Sequence, residues 1–185
     1  MVLARGLAGA GATVILNGRD GAKLGGAVER LRGEGLSARG YAFDVTRSDQ
    51  IREKVAAIEK EVGPIDILVN NAGIQQRGAL ESFAESAWRQ ILETNLTAAF
   101  LVGKEVAGRM IARRSGKIIN ICSLQSELAR VTIAPYAASK GGLKMLTRGM
   151  AADWGKHNIQ VNGIGPGYFI TGQILYVDGG VLAAI

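Results

Sequence analysis

Short apolar runs alternate along the chain with longer segments whose apolar residues recur at helical spacing. The runs are rich in β-branched residues and predict strands at 12–17, 38–45, 65–70, 116–123, 159–165 and 173–180. The longer segments predict helices at 21–35, 48–63, 85–112 and 135–155. This alternation is typical of an α/β fold: a doubly wound parallel sheet of the Rossmann type, with helices on both faces. No linker-like stretch interrupts it, so we predict a single domain over residues 1–185.

Three local signals refine this pattern. The helix at 48–63 opens on Ser48 and Asp49, which we expect to cap it. The apolar run at 65–70 does not alternate, which predicts a strand covered on both faces. The glycine-rich stretch at 6–12 precedes a strand instead of joining a strand to a helix. It therefore predicts the end of a helix and not a phosphate-binding turn.

The composition is that of an ordinary globular protein, with 48% hydrophobic and 21% charged residues in a chain of 185. The formal net charge is +6, but basic and acidic residues are interleaved, which argues against a nucleic-acid partner and suits a small phosphorylated ligand. No apolar run reaches the roughly 18–20 residues that a membrane span needs. The single cysteine, Cys122, fits a reducing cytoplasm, and a single histidine argues against a zinc site.

Tyr136 and Lys140 stand four residues apart in a predicted helix, and therefore on the same face of it. A phenol titrates at about pH 10, too high for a base at neutral pH, but a neighbouring ammonium favours the phenolate form. A tyrosine tuned in this way can exchange a proton with an alcohol or carbonyl oxygen. The same pair is also common on exposed helix surfaces, so the spacing by itself leaves both interpretations open.

Three polar or glycine-containing segments elsewhere in the sequence favour a catalytic role for Tyr136 and Lys140. Ser123 ends the fourth strand, at the carboxyl edge where open α/β sheets bind ligands. The turn at 71–73 follows the third strand and contains a glycine that lets backbone approach a ligand closely. Asn95 lies inside a predicted helix, where asparagine is unfavourable, which indicates a kink or a bound water. The ordinary alternatives are a helix cap, a plain turn and a solvent-facing amide.

The chain resembles the short-chain dehydrogenase/reductase family in four segments that occur in the family's order: ILVNNAG, ETNLTAAF, NICSLQSELARVTIAPYAASKGG and VNGIGPGYF. The spacing Ser-x12-Tyr-x3-Lys in the third segment is specific to that family. The resemblance covers essentially the whole chain, and within the family the sequence is similar to gluconate 5-dehydrogenases.

The resemblance implies a role for each matching residue. Tyr136 would be the general acid and base, Lys140 would favour its phenolate form and bind the nicotinamide ribose, and Ser123 would orient the substrate oxygen. Asn95 would hold a water in the proton relay behind Lys140. The remaining matches would line the cofactor: Asn71, Ala72 and Gly73 along it, Asp44 and Val45 at the adenine, and Pro166, Gly167 and Phe169 beside the nicotinamide.

The cofactor itself is predicted from the residues that follow the first strand. Asn17, Gly18 and Arg19 stand there, and Gly18 occupies the position where relatives that use NAD carry an acid. An acid there would bind the ribose hydroxyls and repel a 2′-phosphate, whereas an arginine attracts it. We therefore predict binding of NADP by Asn17 and Arg19, with NAD kept possible by Asp20.

Two departures from the family's pattern predict an incomplete sheet. The family opens with a strand and a TGxxxGxG turn, which would lie between the strands at 12–17 and 65–70 and leave them without their shared neighbour. Roughly 45 residues of a domain of about 250 are also missing after Phe169. A true deletion and the omission of segments from a longer chain both account for this. We expect residues 1–185 alone to bind dinucleotides weakly.

The predicted function is the interconversion of a secondary alcohol and a ketone by hydride transfer, on a sugar acid such as gluconate or 5-ketogluconate. The alternatives are a 3-oxoacyl-carrier-protein reductase, a 2-deoxy-gluconate dehydrogenase, and an inactive family member that only oligomerises. A homodimer or homotetramer is expected, formed through the helices at 85–112 and 135–155. No metal is expected.

Overall fold

A computed structural model describes residues 1–166. The predicted strand at 173–180 and the predicted cofactor contacts Gly167 and Phe169 lie outside this range. The chain forms two compact units, the first spanning Met1–Val62 and the second beginning at Gly63. The prediction of a single domain stays a prediction. No helix of the described chain is long and apolar enough to cross a bilayer.

The first unit places helices around a pair of parallel strands. Its elements are α1 (Val2–Gly9), β1 (Val14–Gly18), α2 (Gly21–Gly33), β2 (Ala38–Ala42) and α3 (Ser48–Glu61). β1 and β2 pair from Val14 opposite Ala38 to Gly18 opposite Ala42. A Cβ on Gly40 would lie 3.1 Å from side-chain atoms of Leu24 and Val28. Glycine at this position therefore allows α2 to pack closely on β2.

The boundaries in the first unit confirm one local expectation and correct another. α1 ends at Gly9, and Gly11 follows with a φ of 95°, so the glycine-rich stretch is the end of a helix, as predicted. The expected cap of α3 was wrong. Arg47 is the N-cap and no side chain caps the helix, because Ser48 already has helical backbone geometry and lies one position too late.

The second unit is a three-stranded parallel sheet with the order β3-β4-β5. Its strands and α-helices are β3 (Ile67–Asn70), α4 (Glu85–Leu92), α5 (Ala98–Arg113), β4 (Gly116–Ile121), α6 (Ala134–Trp154) and β5 (Ile159–Ile164). Short 3-10 helices occur at Leu80–Ser82, Leu124–Ser126 and Gly155–His157, and a π-helix at Glu93–Thr97 joins α4 to α5. The long helix predicted at 85–112 is therefore interrupted by a π segment.

The α/β class with parallel strands is confirmed, and the strands form two separate sheets. Among the described residues, β1 pairs only with β2, and β3 pairs only with β4 and has no strand on its other side. Ile67 in β3 is 39% exposed, which differs from the strand covered on both faces that we expected. Among residues 1–166, β3 is an edge strand of its sheet, so one of its long sides packs against no neighbouring strand and part of its apolar run is exposed.

Candidate active site

A cleft of about 290 Å³ opens at the carboxyl edge of the second unit's sheet. Parallel strands end at the same edge, so the segments that follow β3, β4 and β5 meet there. The cleft contains six of the predicted site residues, Asn71, Gly73, Ser123, Tyr136, Lys140 and Pro166, together with Ile74, Gln75, Ile121 and Cys122.

Tyr136 and Lys140 face the cleft from the first turns of α6 and not from an exposed helix surface. Lys140 is only 4% exposed, and its Nζ donates a hydrogen bond of 2.6 Å to the carbonyl oxygen of Ile121. The same Nζ lies 5.9 Å from the centroid of the Tyr136 ring, within the range of a cation–π contact. Burial lowers the pKa of the Lys140 ammonium. This arrangement decides against the surface interpretation of the pair.

Ser123 combines the two roles considered for it. It is the N-cap of the 3-10 helix at Leu124–Ser126, and its Oγ accepts a hydrogen bond of 3.2 Å from the backbone N–H of Gln125. It also lines the cleft. A hydroxyl that accepts from a backbone N–H keeps its own proton for another acceptor. The cap therefore orients the hydroxyl and leaves it able to donate to an oxygen in the cleft.

Asn95 is 1% exposed and lies in the π-helix between α4 and α5, a kind of segment that is frequent at functional sites. Its Oδ1 accepts from the backbone N–H of Ile74 at 2.7 Å, and its Nδ2 donates to the Ile74 carbonyl at 2.9 Å and to Ser139 Oγ at 3.0 Å. Both amide hydrogens are thus committed, and neither is left to donate to a water. The side chain joins the segment after β3 to α6.

Gly73 lets this segment approach the buried end of the cleft. A Cβ at this position would lie 3.4 Å from Asn95 Oδ1 and 3.7 Å from Lys140 Nζ. Asn71 and Ala72, which precede Gly73, are exposed. The absence of a side chain on Gly73 therefore keeps space open beside the Lys140 ammonium.

Sequence reasoning missed a buried hydrogen-bond chain behind the cleft. Asn70 Nδ2 donates to Asn120 Oδ1 at 2.9 Å, and Asn120 Nδ2 donates to Thr147 Oγ1 at 2.9 Å. Asn120 is fully buried, and it stands directly opposite Asn70 in the parallel register of β3 and β4. The signal was a single asparagine in each of two mainly apolar strands. This chain of hydrogen bonds joins β3, β4 and α6 and so fixes the elements that carry the cleft residues.

The first unit brings three of the predicted cofactor residues to the carboxyl ends of β1 and β2. Asn17 Nδ2 donates to the carbonyl oxygens of Tyr41 at 3.2 Å and Phe43 at 3.0 Å. These bonds join the two strand ends. The side chain of Arg19 is 71% exposed, and its guanidinium lies 3.7 Å from Asp44 Oδ2.

Asp44 is held by the residues that follow it. Its Oδ1 accepts from the backbone N–H of Thr46 at 2.9 Å and from the Thr46 hydroxyl at 2.8 Å, and these bonds lower the pKa of the Asp44 carboxyl. Val45 between them is half-buried. Asp20, the residue that kept NAD possible, caps α2 by accepting from the backbone N–H of Lys23 at 3.0 Å. Its other oxygen, Oδ2, lies 3.7 Å from Lys23 Nζ, and the side chain is exposed.

Comparison with known proteins places this chain in a family. The family model described as short chain dehydrogenase matches residues 1–174. The chain belongs to the short chain dehydrogenase family. The expected resemblance is thereby confirmed, and with it the Rossmann-type class of the fold. Within residues 1–166, no group of three or more His, Cys, Asp or Glu residues is arranged to hold a metal ion.

Several curated proteins are similar to this chain over most of its length. Gluconate 5-dehydrogenase of Gluconobacter oxydans is 55% identical over 171 residues, which are 92% of this chain and 67% of that protein. 5-keto-D-gluconate 5-reductase of Escherichia coli K12 is 52% identical over 170 residues, again 92% and 67% of the two chains. The chain thus spans about two thirds of the length of these curated relatives.

A solved structure shows the same fold. The crystal structure of a gluconate 5-dehydrogenase from Burkholderia cenocepacia J2315, in complex with NADP and tartrate, superposes with a TM-score of 0.87 at 53% identity. The match covers 91% of this chain and 66% of that one.

Proposed function

We propose that this protein is an NADP-dependent oxidoreductase that interconverts a secondary alcohol and a ketone on a sugar acid of the gluconate class. The observation that carries the proposal is the cleft that brings Ser123, Tyr136 and Lys140 together at the carboxyl edge of a parallel sheet. The names of the similar proteins, a gluconate 5-dehydrogenase and a 5-keto-D-gluconate 5-reductase, support the substrate class.

The cleft fits the nicotinamide and ribose end of a dinucleotide. Gly73 leaves open the space that a Cβ would occupy beside Lys140 Nζ, and the buried ammonium is a hydrogen-bond donor for ribose hydroxyls. Asn71 and Pro166 line the same cleft. When bound, the nicotinamide would supply or accept the hydride.

The protein's own residues handle the proton and the position of the substrate. The Ser123 hydroxyl, oriented by the Gln125 N–H, donates to the reacting oxygen and holds it near Tyr136. Tyr136 gives a proton to that oxygen during reduction and takes it back during oxidation. The Lys140 ammonium, 5.9 Å from the Tyr136 ring, stabilises the negative charge that the phenol then carries.

An assay of the complete gene product against competing substrates tests this function. Gluconate, 5-ketogluconate, 2-deoxy-gluconate and a 3-oxoacyl thioester are each offered with NADP(H) and with NAD(H). We expect kcat/KM to be at least about 10-fold higher for gluconate and 5-ketogluconate with the phosphorylated cofactor. Preference for the thioester would make the protein a 3-oxoacyl reductase instead. Cofactor binding without any turnover would support the inactive alternative.

Arg19→Ala is expected to weaken NADPH binding about 10-fold to 100-fold and to leave NADH binding nearly unchanged. The exposed guanidinium is proposed to pair with the 2′-phosphate, and a hydrogen bond to a charged group contributes about 1.5–3 kcal/mol. Fluorescence titration with both cofactors measures the change. Arg89→Ala is the matched control, since Arg89 is also exposed and also lies beside a carboxylate, that of Glu85 at 3.6 Å, but was not predicted to contact the cofactor. Equal weakening for both cofactors would contradict the role of Arg19.

We further propose that the protein is a homodimer or homotetramer and works in the cytoplasm. α5 and α6 leave large apolar side chains exposed at Phe100 and Met145, and α4 does so at Trp88. A second copy of the chain would cover these side chains. Native mass spectrometry measures the assembly, and a monomer at micromolar concentration would contradict it.

The cytoplasmic assignment is supported by the single free cysteine, Cys122, and is tested by cell fractionation.

A further inference from the structure

The hydroxyl of Ser126 lies between the backbones of two cleft residues. Its Oγ accepts a hydrogen bond of 3.3 Å from the backbone N–H of Ser123 and donates one of 3.0 Å to the carbonyl oxygen of Lys140. Ser126 is half-buried and does not line the cleft itself. One side chain therefore connects the turn that carries Ser123 to the helix that carries Lys140.

We propose that Ser126 is a positioning residue for the reaction, fixing the Ser123 hydroxyl relative to the Lys140 ammonium across the cleft. The inference rests on the proposed function, because it assigns a role within that same site. Ser126 touches neither substrate nor cofactor and acts through the backbones of Ser123 and Lys140.

The bond to Lys140 is more than a turn requires. Ser123 and Ser126 cap the short 3-10 helix reciprocally, and this cap needs only the bond between Ser126 Oγ and the Ser123 N–H. The second bond reaches a residue 14 positions later, in α6. A helix does not need it either, because carbonyl oxygens in a helix interior are already bonded within the helix. The bond therefore serves the connection between the two segments.

Lys140 is consequently anchored at both of its ends to one short segment. Its carbonyl oxygen accepts from Ser126, and its ammonium donates to the carbonyl oxygen of Ile121 at 2.6 Å. Ile121 and Ser126 flank Ser123 in the sequence. Removing the Ser126 hydroxyl releases the backbone anchor and allows Ser123 and Lys140 to shift independently. A displacement of about 1 Å in such a site is enough to slow catalysis up to about 100-fold.

Ser126→Ala is expected to lower kcat about 10-fold while lowering the melting temperature by only about 2–4 °C. Ser126→Thr keeps the hydroxyl and is expected to restore most of kcat. Ser82→Ala is the matched control, since Ser82 also ends a 3-10 helix of three residues and its Oγ bonds a backbone carbonyl, that of Ala79 at 3.4 Å. This control is expected to leave kcat unchanged.

A double-mutant cycle separates positioning from a general structural effect. In a Ser123→Ala background, adding Ser126→Ala is expected to reduce kcat by less than about 3-fold, because the group that it positions is already gone. An equal loss in both backgrounds would overturn the inference, as would a Ser126→Ala enzyme with the kcat of Ser82→Ala. Neither of these two outcomes affects the proposed function, because the wild-type enzyme is active in both. A wild-type protein without turnover on any of the four substrates would overturn the function and this inference together.

Discussion

Tyr136→Phe is expected to lower turnover about 100-fold to 10,000-fold, the range that positioned acid–base groups contribute. The substitution removes only the hydroxyl that is proposed to exchange a proton with the substrate oxygen. Tyr136 lines the cleft, and the substitution leaves its ring in place. The melting temperature and the dissociation constant for NADPH should therefore stay close to those of the wild type. Steady-state kinetics, thermal unfolding and cofactor titration measure the three quantities.

Tyr41→Phe provides the control for this prediction. The Tyr41 hydroxyl donates a hydrogen bond of 2.6 Å to Glu61, and both residues belong to the first unit. Its loss should change turnover by less than about 2-fold. It should lower the free energy of unfolding by only about 1 kcal/mol, the usual contribution of a single hydrogen bond. A Tyr136→Phe enzyme that keeps more than a tenth of the wild-type turnover would remove Tyr136 from the role of general acid and base.

Periodicity and turn signals placed the strands and most helices because those signals are local. Residues 159–165 were predicted as a strand and β5 spans Ile159–Ile164; residues 135–155 were predicted as a helix and α6 spans Ala134–Trp154. The error at the start of α3 is of a different kind. Ser48 and Asp49 are suitable capping residues by type, but a cap must have extended backbone, and only the structure shows that Arg47 has it.

The candidate site was predictable where residues match a motif that is specific to a family. Tyr136, Lys140 and Ser123 were identified through the Ser-x12-Tyr-x3-Lys motif, and the structure brings them to one cleft. The contacts that hold them were not predictable, because they depend on tertiary structure. Asn95 signalled an irregular helix, but its bonds to Ile74 and Ser139 require the packing of three segments.

Tertiary contacts are hardest to predict from sequence for serine and asparagine side chains. Their short polar groups suit caps, turns and exposed positions equally well, so sequence alone assigns them the commonest of these uses. Ser126 carries no signal of its own in the sequence, yet its hydroxyl bonds the Lys140 carbonyl oxygen. Asn120 read as an ordinary strand residue, whereas it is fully buried between Asn70 and Thr147.

Lys140→Met is expected to abolish measurable turnover and, at neutral pH, to raise the free energy of unfolding by about 1–2 kcal/mol. The activity is lost because the charge beside Tyr136 is removed. Stability rises because the Lys140 ammonium is almost fully buried and, among residues 1–166, donates to a single backbone acceptor, the carbonyl of Ile121. A methionine of similar shape removes the desolvation penalty. Urea unfolding of both proteins measures the difference.

The pH dependence of this difference identifies its cause. Burial lowers the pKa of Lys140 below its ordinary value of 10.5, so the unfolded chain holds more protons than the folded one between the two values. The wild type therefore becomes more stable as the pH rises through this window, whereas Lys140→Met does not. The advantage of the methionine variant should be largest below the lowered pKa and should shrink as the pH approaches 10.5.

Lys117→Met separates this effect from the general loss of a positive charge. Lys117 lies exposed on β4, and its Nζ donates to Gln160 Oε1 at 2.8 Å, so replacing it removes the same charge without relieving burial. Turnover should stay close to that of the wild type, and the free energy of unfolding should change by no more than about 0.5 kcal/mol, as is usual for surface positions. If Lys140→Met proved less stable than the wild type at neutral pH, the bond to Ile121 would outweigh desolvation. The lysine would then be structural as well as catalytic.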